Sequence, residues 1–192
     1  MYVTTKLSDT ERSLAVEKIL EDIPGGCVIE KDDIPTSSSG IKEGTLVGKD
    51  SSGIYHIIKT AKVAVAVSTD DTDIVVYDNN EFKVGDYIGT SASGEASGVA
   101  ITAIVASGAG RHLLTATWNG PDVAASGLIV QASGLGHSNY KYEVAGVLTN
   151  YCERDKENTG GGVMVRGRVR EKLMPYYIDD LLKSKLPLIR FV

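Results

Sequence analysis

Apolar residues along most of this chain occur in short runs with a period close to two. From Gly44 onward such runs cover residues 54–58, 63–67, 74–77, 99–105, 113–118 and 128–130. Turn residues separate them, and the tripeptide Ala-Ser-Gly recurs at Ala92, Ala96, Ala106, Ala125 and Ala132. Short strands at this spacing predict a mainly β protein, built as an antiparallel β-barrel or sandwich.

The beginning of the chain has a different pattern, which favours an amphipathic helix. Ser8 and Glu11 have the spacing of a capping box, and Pro24 ends the segment. One apolar stripe would contain Leu14, Val16, Ile19, Leu20 and Ile23. The polar stretch 31–40 resembles a linker. We therefore predict an attachment or oligomerisation element over residues 1–42 and a β-rich domain over residues 43–192.

The last third of the chain contains a strand with two different faces. Val163, Val165, Gly167 and Val169 alternate with a second set, which is Met164, Arg166, Arg168 and Arg170. The first set is predicted to face the core. The arginines are suitably spaced to meet carboxylates on a partner protein, although a solvated face explains them equally well.

Residues 176–184 predict a short C-terminal helix, and an apolar run from Leu186 to Val192 follows it. This run includes Phe191. It either pairs as a final strand of the same domain or packs into a neighbouring protomer, and the first alternative is preferred.

Charge and composition exclude several classes of partner. The net charge is -5 and the pI is about 5.2, which argues against capture of nucleic acid by a basic face. No run approaches the roughly 20 apolar residues of a membrane span, and no secretory signal opens the chain, so synthesis in a cytoplasm is expected. Cys27 and Cys152 are expected to be reduced thiols, with a disulfide between them left open.

Sequence motifs for chemistry are lacking, so no catalytic, cofactor-binding or metal site is predicted. The three histidines, His56, His112 and His137, are scattered. A triad of a serine, His56 and an aspartate assembled in space stays open. Carboxylates and amides between Asp70 and Glu81 could hold a calcium ion, but these residue types are also common in turns, which we favour.

Three stretches, taken in order, resemble phage head-fibre and head-decoration proteins. They are Glu-Gly-Thr-Leu-Val-Gly-Lys-Asp at 43–50, Phe-Lys-Val-Gly-Asp-Tyr-Ile at 82–88, and Val-Met-Val-Arg-Gly-Arg-Val-Arg-Glu at 163–171, which leads to Leu-Pro-Leu-Ile at 186–189. The resemblance covers roughly residues 43–192.

The resemblance implies a non-enzymatic β domain, commonly trimeric, that is bound to the major capsid protein on the outer surface of the virion. It brings no cofactor and no catalytic residue. Side chains that could contact the capsid or another protomer are Leu14, Ile19, Leu20, Ile23, Arg166, Arg168, Arg170 and Phe191.

The alternative function is that of a carbohydrate-binding β domain of a phage surface or tail protein. Trp118 beside Asn119, with Tyr140 and Tyr142 nearby, could stack on a sugar ring. A tryptophan at a strand end is more often part of the core or its rim.

Overall fold

The structure is a computed structural model that describes residues 14–34, 39–90, 98–137, 140–154 and 160–192. It is mainly β with antiparallel sheets, as the spacing of the apolar runs predicts, and the described residues form no closed barrel. The strands are β1 (Val16–Asp22), β2 (Cys27–Val28), β3 (Gly40–Ile41), β4 (Leu46–Lys49), β5 (Tyr55–Ile57), β6 (Thr60–Lys62), β7 (Asp73–Tyr77), β8 (Tyr87–Thr90), β9 (Val99–Ala100), β10 (Ala103–Ala106), β11 (Arg111–Thr115), β12 (Leu128–Gln131), β13 (Glu143–Leu148), β14 (Cys152–Glu153), β15 (Gly160–Gly161), β16 (Val163–Val169) and β17 (Ile189–Phe191). Helical segments are α1 (Asp180–Ser184) and two 3-10 turns, Lys31–Asp33 and Glu171–Leu173.

One six-stranded sheet contains strands from the beginning and from the end of the described chain. Its order is β1-β16-β13-β4-β5, and β17 lies parallel to β16. Two apolar clusters pack against this sheet. Leu46, Val147, Met164, Val169 and Leu182 belong to one cluster. The other cluster contains Val47, Ile57, Leu148, Cys152 and Val163.

The chain between β5 and β13 forms a unit with its own core, which we call the inserted lobe (residues 60–131). It contains one sheet of order β6-β12-β8-β9 and another of order β10-β11-β7. Both sheets contribute to one apolar cluster, which includes Ile74, Ile88, Leu114, Trp118 and Ile129. The six-stranded sheet is therefore interrupted in sequence by a lobe with an apolar core of its own, although Val130 of β12 packs into the cluster that contains Leu46.

The predicted N-terminal helix is wrong where the structure describes it. Residues 16–22 form β1, which pairs antiparallel with β16, while the proposed cap at Ser8 lies outside the described residues. An isolated amphipathic helix of this length is marginal unless tertiary contacts stabilise it. Pairing with β16 instead gives the segment backbone partners along one side, although the register is irregular. The division of the chain at residue 42 stays a prediction.

The predicted faces of β16 are also corrected. Val163 joins one cluster, whereas Met164 and Val169 join the other. The reason is an irregularity in the pairing with β1, where the partners move from Arg166 directly to Met164 and leave Val165 as an extra residue. One extra residue exchanges the two faces of a strand.

The C-terminal predictions are confirmed in their main features. The helix is shorter than predicted, at Asp180–Ser184, and the side chain of Asp179 caps it by accepting a hydrogen bond from the Leu182 amide at 2.8 Å. The final apolar run pairs within its own chain as β17, with Phe191 opposite Val169.

Gly167 allows β1 and β16 to approach closely, and this gives a first prediction. A Cβ at this position would lie 2.2 Å from the Met164 sulfur and 2.3 Å from the Lys18 carbonyl oxygen. We expect Gly167→Ala to lower the free energy of unfolding by about 1–3 kcal/mol, measured by urea denaturation. The control is Gly134→Ala, whose Cβ would come no nearer than 3.4 Å to His137. Equal losses for the two variants would contradict the close approach.

Candidate functional site

Strand β1 is an exposed edge of the six-stranded sheet and contains two of the five predicted apolar contact residues, while a third, Leu14, lies just before it. Leu14 is 63% exposed, Ile19 47% and Leu20 58%. We call these three side chains the β1 surface. Isolated exposed apolar residues are ordinary, but neighbouring ones on a single edge strand are typical of an interaction site.

A small groove runs beside the β1 surface. Its volume is about 230 Å³, and its walls include Ile19, Glu43 and Thr149. The Val16 amide donates a hydrogen bond to the Glu43 carboxylate at 2.9 Å, which fixes the start of β1 against this wall. Sequence reasoning missed Glu43 and Thr149, because they reach β1 only through the fold.

The arginines of β16 have partners within the chain. Arg168 contacts the Glu17 carboxylate at 2.9 Å, and Arg170 contacts it at 3.8 Å. Arg166 lies opposite Glu21 in the register. The pairs are largely exposed, so each contributes at most about 1 kcal/mol. A partner protein could therefore exchange these contacts for its own carboxylates at low cost.

Ile23 and Phe191 are less available than the β1 surface. Ile23 packs against the cluster that contains Leu148, and Phe191 packs against the cluster that contains Val169. Of the eight predicted contact residues, the structure thus places two apolar side chains on the edge strand and Leu14 just before it, with two arginines on the neighbouring strand and Arg170 directly after that strand.

Among the described residues, the partners of the His56 ring nitrogens are two carboxylates rather than a serine. Its Nδ1 lies 2.8 Å from the Asp33 carboxylate, and its Nε2 lies 3.6 Å from that of Asp50. Its ring stacks on Tyr142 at 3.8 Å between centroids. Both nitrogens face carboxylates, so neither is directed at a nucleophile.

The residues around His56 are linked to one another by hydrogen bonds and charge interactions. Desolvation opposes ionisation of Asp50, but backbone hydrogen bonds from Ile54 and Ser52, together with His56, lower the pKa of that carboxyl. Burial, reinforced by nearby carboxylates, raises the pKa of Tyr142 to about 12. The cluster therefore joins the 3-10 turn at Lys31–Asp33, the β4–β5 turn and the start of β13, which is a structural role.

Trp118 is a core residue, so it cannot stack on a sugar. Its side chain is fully buried in the inserted lobe, and its indole N–H donates to the Pro121 carbonyl at 2.9 Å. Tyr142 is stacked on His56, and Tyr140 packs against the apolar cluster of the six-stranded sheet. The predicted aromatic surface is therefore not assembled.

The acidic residues between Asp70 and Glu81 form turns. Asp71 accepts a hydrogen bond from the Ser68 amide at 2.7 Å, and Asn80 donates to the Tyr77 carbonyl at 2.7 Å. In the part of the chain that the structure describes, no three His, Cys, Asp or Glu residues are grouped so as to hold a metal ion.

A buried ion pair lies where the inserted lobe meets the six-stranded sheet. The Lys59 ammonium is 2.8 Å from one Asp86 oxygen, and Gln131 donates to the other oxygen at 2.8 Å. The Lys83 amide also donates to Asp86, at 2.9 Å. We call Lys59, Asp86 and Gln131 the junction network.

The C-terminal segment crosses the same junction. The Thr60 hydroxyl donates to the Tyr177 carbonyl at 2.7 Å, and the Tyr176 hydroxyl donates to the Glu81 carboxylate. Burial raises the pKa of Glu81 and that of Tyr176, so the contact is largely removed from water. The two lobes are therefore fixed to each other by polar contacts as well as by the chain.

Both cysteines are free and buried next to Gly161. A Cβ at Gly161 would lie 2.9 Å from the Cys152 sulfur and 3.7 Å from the Cys27 sulfur. Burial raises the pKa of Cys27, and burial together with the neighbouring Cys27 raises the pKa of Cys152 to about 12. The two thiols form no disulfide in this structure.

Comparison of the chain with protein-family models, with curated proteins and with solved structures found no match. Among the described residues, no helix is long and apolar enough to cross a membrane. The geometry described above therefore carries the functional argument.

The burial and the raised pKa of the two thiols predict that they are modified slowly. A raised pKa leaves little thiolate at neutral pH, and burial excludes the reagent. We expect the native protein to react with a disulfide reagent such as DTNB only through opening of the structure, and both cysteines to react rapidly in denaturant. Cys152→Ser serves as the control that halves the amplitude. Rapid reaction of native Cys152 would contradict its burial.

The junction network predicts a large loss of stability when one partner is removed. We expect Lys59→Met to lower the free energy of unfolding by about 3–5 kcal/mol, because Asp86 is left as a buried charge without its cation. The matched control is Glu17→Gln, which removes the exposed contact to Arg168 and is expected to cost less than about 1 kcal/mol. Equal losses in the free energy of unfolding for the two variants would contradict the larger contribution of the buried pair.

Proposed function

We propose that this protein is a non-enzymatic structural component of a bacteriophage virion, which decorates the capsid by binding the major capsid protein. The single observation that carries the proposal is the β1 surface, where Ile19 and Leu20 are exposed on an edge strand and Leu14 is exposed just before it. We infer the partner from the three motifs that, taken in order, resemble head-decoration proteins.

The surroundings of the β1 surface suit a protein partner. Glu17, Lys18, Glu21 and Asp22 provide exposed charges around the apolar side chains. Interfaces between proteins commonly have this arrangement, with an apolar centre and a polar rim. The groove beside Ile19 gives room for one inserted side chain of the partner.

A symmetric oligomer, a trimer by the resemblance, would strengthen such attachment. Three exposed apolar side chains form a small contact, and a small contact alone gives weak binding. Several copies that bind one shell at once raise the effective concentration at each further contact. Repeated weak contacts on a regular capsid surface then hold the decoration firmly.

The alternative carbohydrate-binding function loses its original basis. Trp118, the residue expected to stack on the sugar, is buried. Tyr142 is occupied by His56. We therefore propose no sugar site on those residues.

The proposal predicts that the β1 surface is needed for binding to shells. Emptied shells of the cognate major capsid protein are mixed with the protein at micromolar concentration, and the bound fraction is measured by cosedimentation. We expect Ile19→Asp combined with Leu20→Asp to weaken binding at least about tenfold, because two apolar contacts become buried charges.

The matched control is Val105→Asp, which changes a residue that is 56% exposed on strand β10 of the inserted lobe. This variant is expected to bind like the wild type. Normal binding by the β1 variant would place the contact elsewhere on the chain. Absence of binding by the wild type, with a monomer in mass photometry, would overturn the proposed function.

A further inference from the structure

A cleft lies beside the junction of the two lobes, apart from the residues discussed as a capsid contact. Its volume is about 370 Å³. This lies within the range of about 300–1,000 Å³ that is typical of small-molecule sites. We call it the C-terminal cleft and define it by Asn79, Glu171, Lys172, Tyr176, Tyr177 and Ile178.

The walls of the C-terminal cleft are held in place by contacts to both lobes. Tyr176 donates its hydroxyl to Glu81, and the Tyr177 carbonyl accepts from Thr60 at 2.7 Å. The side-chain amide of Asn79 donates to the Pro175 carbonyl at 3.5 Å. A cleft whose walls are fixed before binding loses little entropy when a ligand enters.

The lining combines aromatic rings with a few polar groups. Because the Tyr176 hydroxyl is used by Glu81, this residue offers the cleft its ring rather than its polar end. The ring of Tyr177 is positioned by Tyr77, with 6.2 Å between centroids, and by the Lys62 ammonium at 5.3 Å. Such rings bind the apolar face of a flat ligand.

The polar groups of the rim indicate a ligand that is uncharged and rich in hydroxyls. Asn79 has a carbonyl acceptor and an amide donor, Glu171 provides acceptors, and Lys172 provides donors. Glu171 is paired with the Lys183 ammonium at 2.9 Å, and the same ammonium lies 3.2 Å from Asp180. Together with Lys172, two ammonium groups and two carboxylates balance around the rim, so it favours neither an anion nor a cation. A pyranose presents an apolar C–H face together with equatorial hydroxyls that both donate and accept.

We propose that the C-terminal cleft binds a neutral saccharide, with one pyranose ring against Tyr176 and Tyr177 and its hydroxyls at Asn79 and Lys172. The site is distinct from the aromatic residues suggested by sequence. It does not rest on capsid decoration, because it shares no residue with the β1 surface.

The experiment uses the full chain, labelled with ¹⁵N, and a panel of neutral saccharides: glucose, galactose, mannose, N-acetylglucosamine and their β-linked disaccharides. Binding is followed by amide chemical shifts and by saturation transfer to the sugar. We expect at least one saccharide of the panel to shift the amides of Asn79 and of residues 171–178 in a saturable way. Saturation transfer is expected to be strongest for the C–H face that contacts the tyrosines.

Two variants and a matched control test the location. Asn79→Ala and Lys172→Ala each remove a hydrogen-bonding group from the rim and are expected to weaken binding about tenfold. Lys185→Ala removes an exposed lysine outside the cleft and is expected to leave binding unchanged. Thermal unfolding of each variant confirms that it is folded. No saturable shift with any saccharide of the panel, or unchanged affinity in both rim variants, would overturn the proposal.

Discussion

The ion pair between Lys59 and Asp86 is the interaction on which the arrangement of the two lobes depends. Lys59 precedes the first strand of the inserted lobe, and Gln131, which shares the carboxylate, ends the last one. The contact therefore fixes the entry and the exit of the lobe at a single point. A buried ion pair of this kind contributes more to the specificity of an arrangement than to the free energy of folding, because the cost of desolvation offsets much of the Coulomb attraction. Apolar packing acts at the same place, because Val130 of the last strand of the lobe belongs to the cluster that contains Leu46.

The strands were predictable from the sequence, but their partners were not. Alternation of apolar residues identifies β7, β11 and β16 because each strand buries one face or both. The insertion is invisible to such local patterns, because the sheet that contains β4 and β5 resumes only at β13. The stretch 16–22 was mistaken for a helix for the same reason. Its spacing fits an apolar helical stripe, and only pairing with β16, more than 140 residues later, decides for a strand.

The sequence predicted the exposed contact residues better than it predicted the roles of the histidine and the tryptophan. Leu14, Ile19 and Leu20 were chosen as a helical stripe, and they are exposed together although the segment is a strand. In contrast, the role of His56 depends on Asp33 and Asp50, which no spacing rule connects to it. Trp118 shows the limit of residue type as evidence. The sequence does not reveal whether an aromatic ring lies inside a lobe or on its rim, and here the ring fills the core of the inserted lobe.

Strand β1 exposes apolar side chains for a partner, and as an edge strand it must also avoid unwanted pairing. An exposed edge with apolar side chains invites uncontrolled pairing with other strands. Here the register skips Glu17 and Leu20, and charged residues surround Ile19, so the hydrogen-bonding edge is irregular and unsuited to adding another strand. The same irregularity leaves the side chains of Ile19 and Leu20 exposed. A partner that recognises β1 must therefore do so through side-chain packing into its own surface and through the adjacent groove, which demands a matching shape. The irregular edge also disfavours pairing between free copies of the protein, because an added strand needs a regular row of backbone groups.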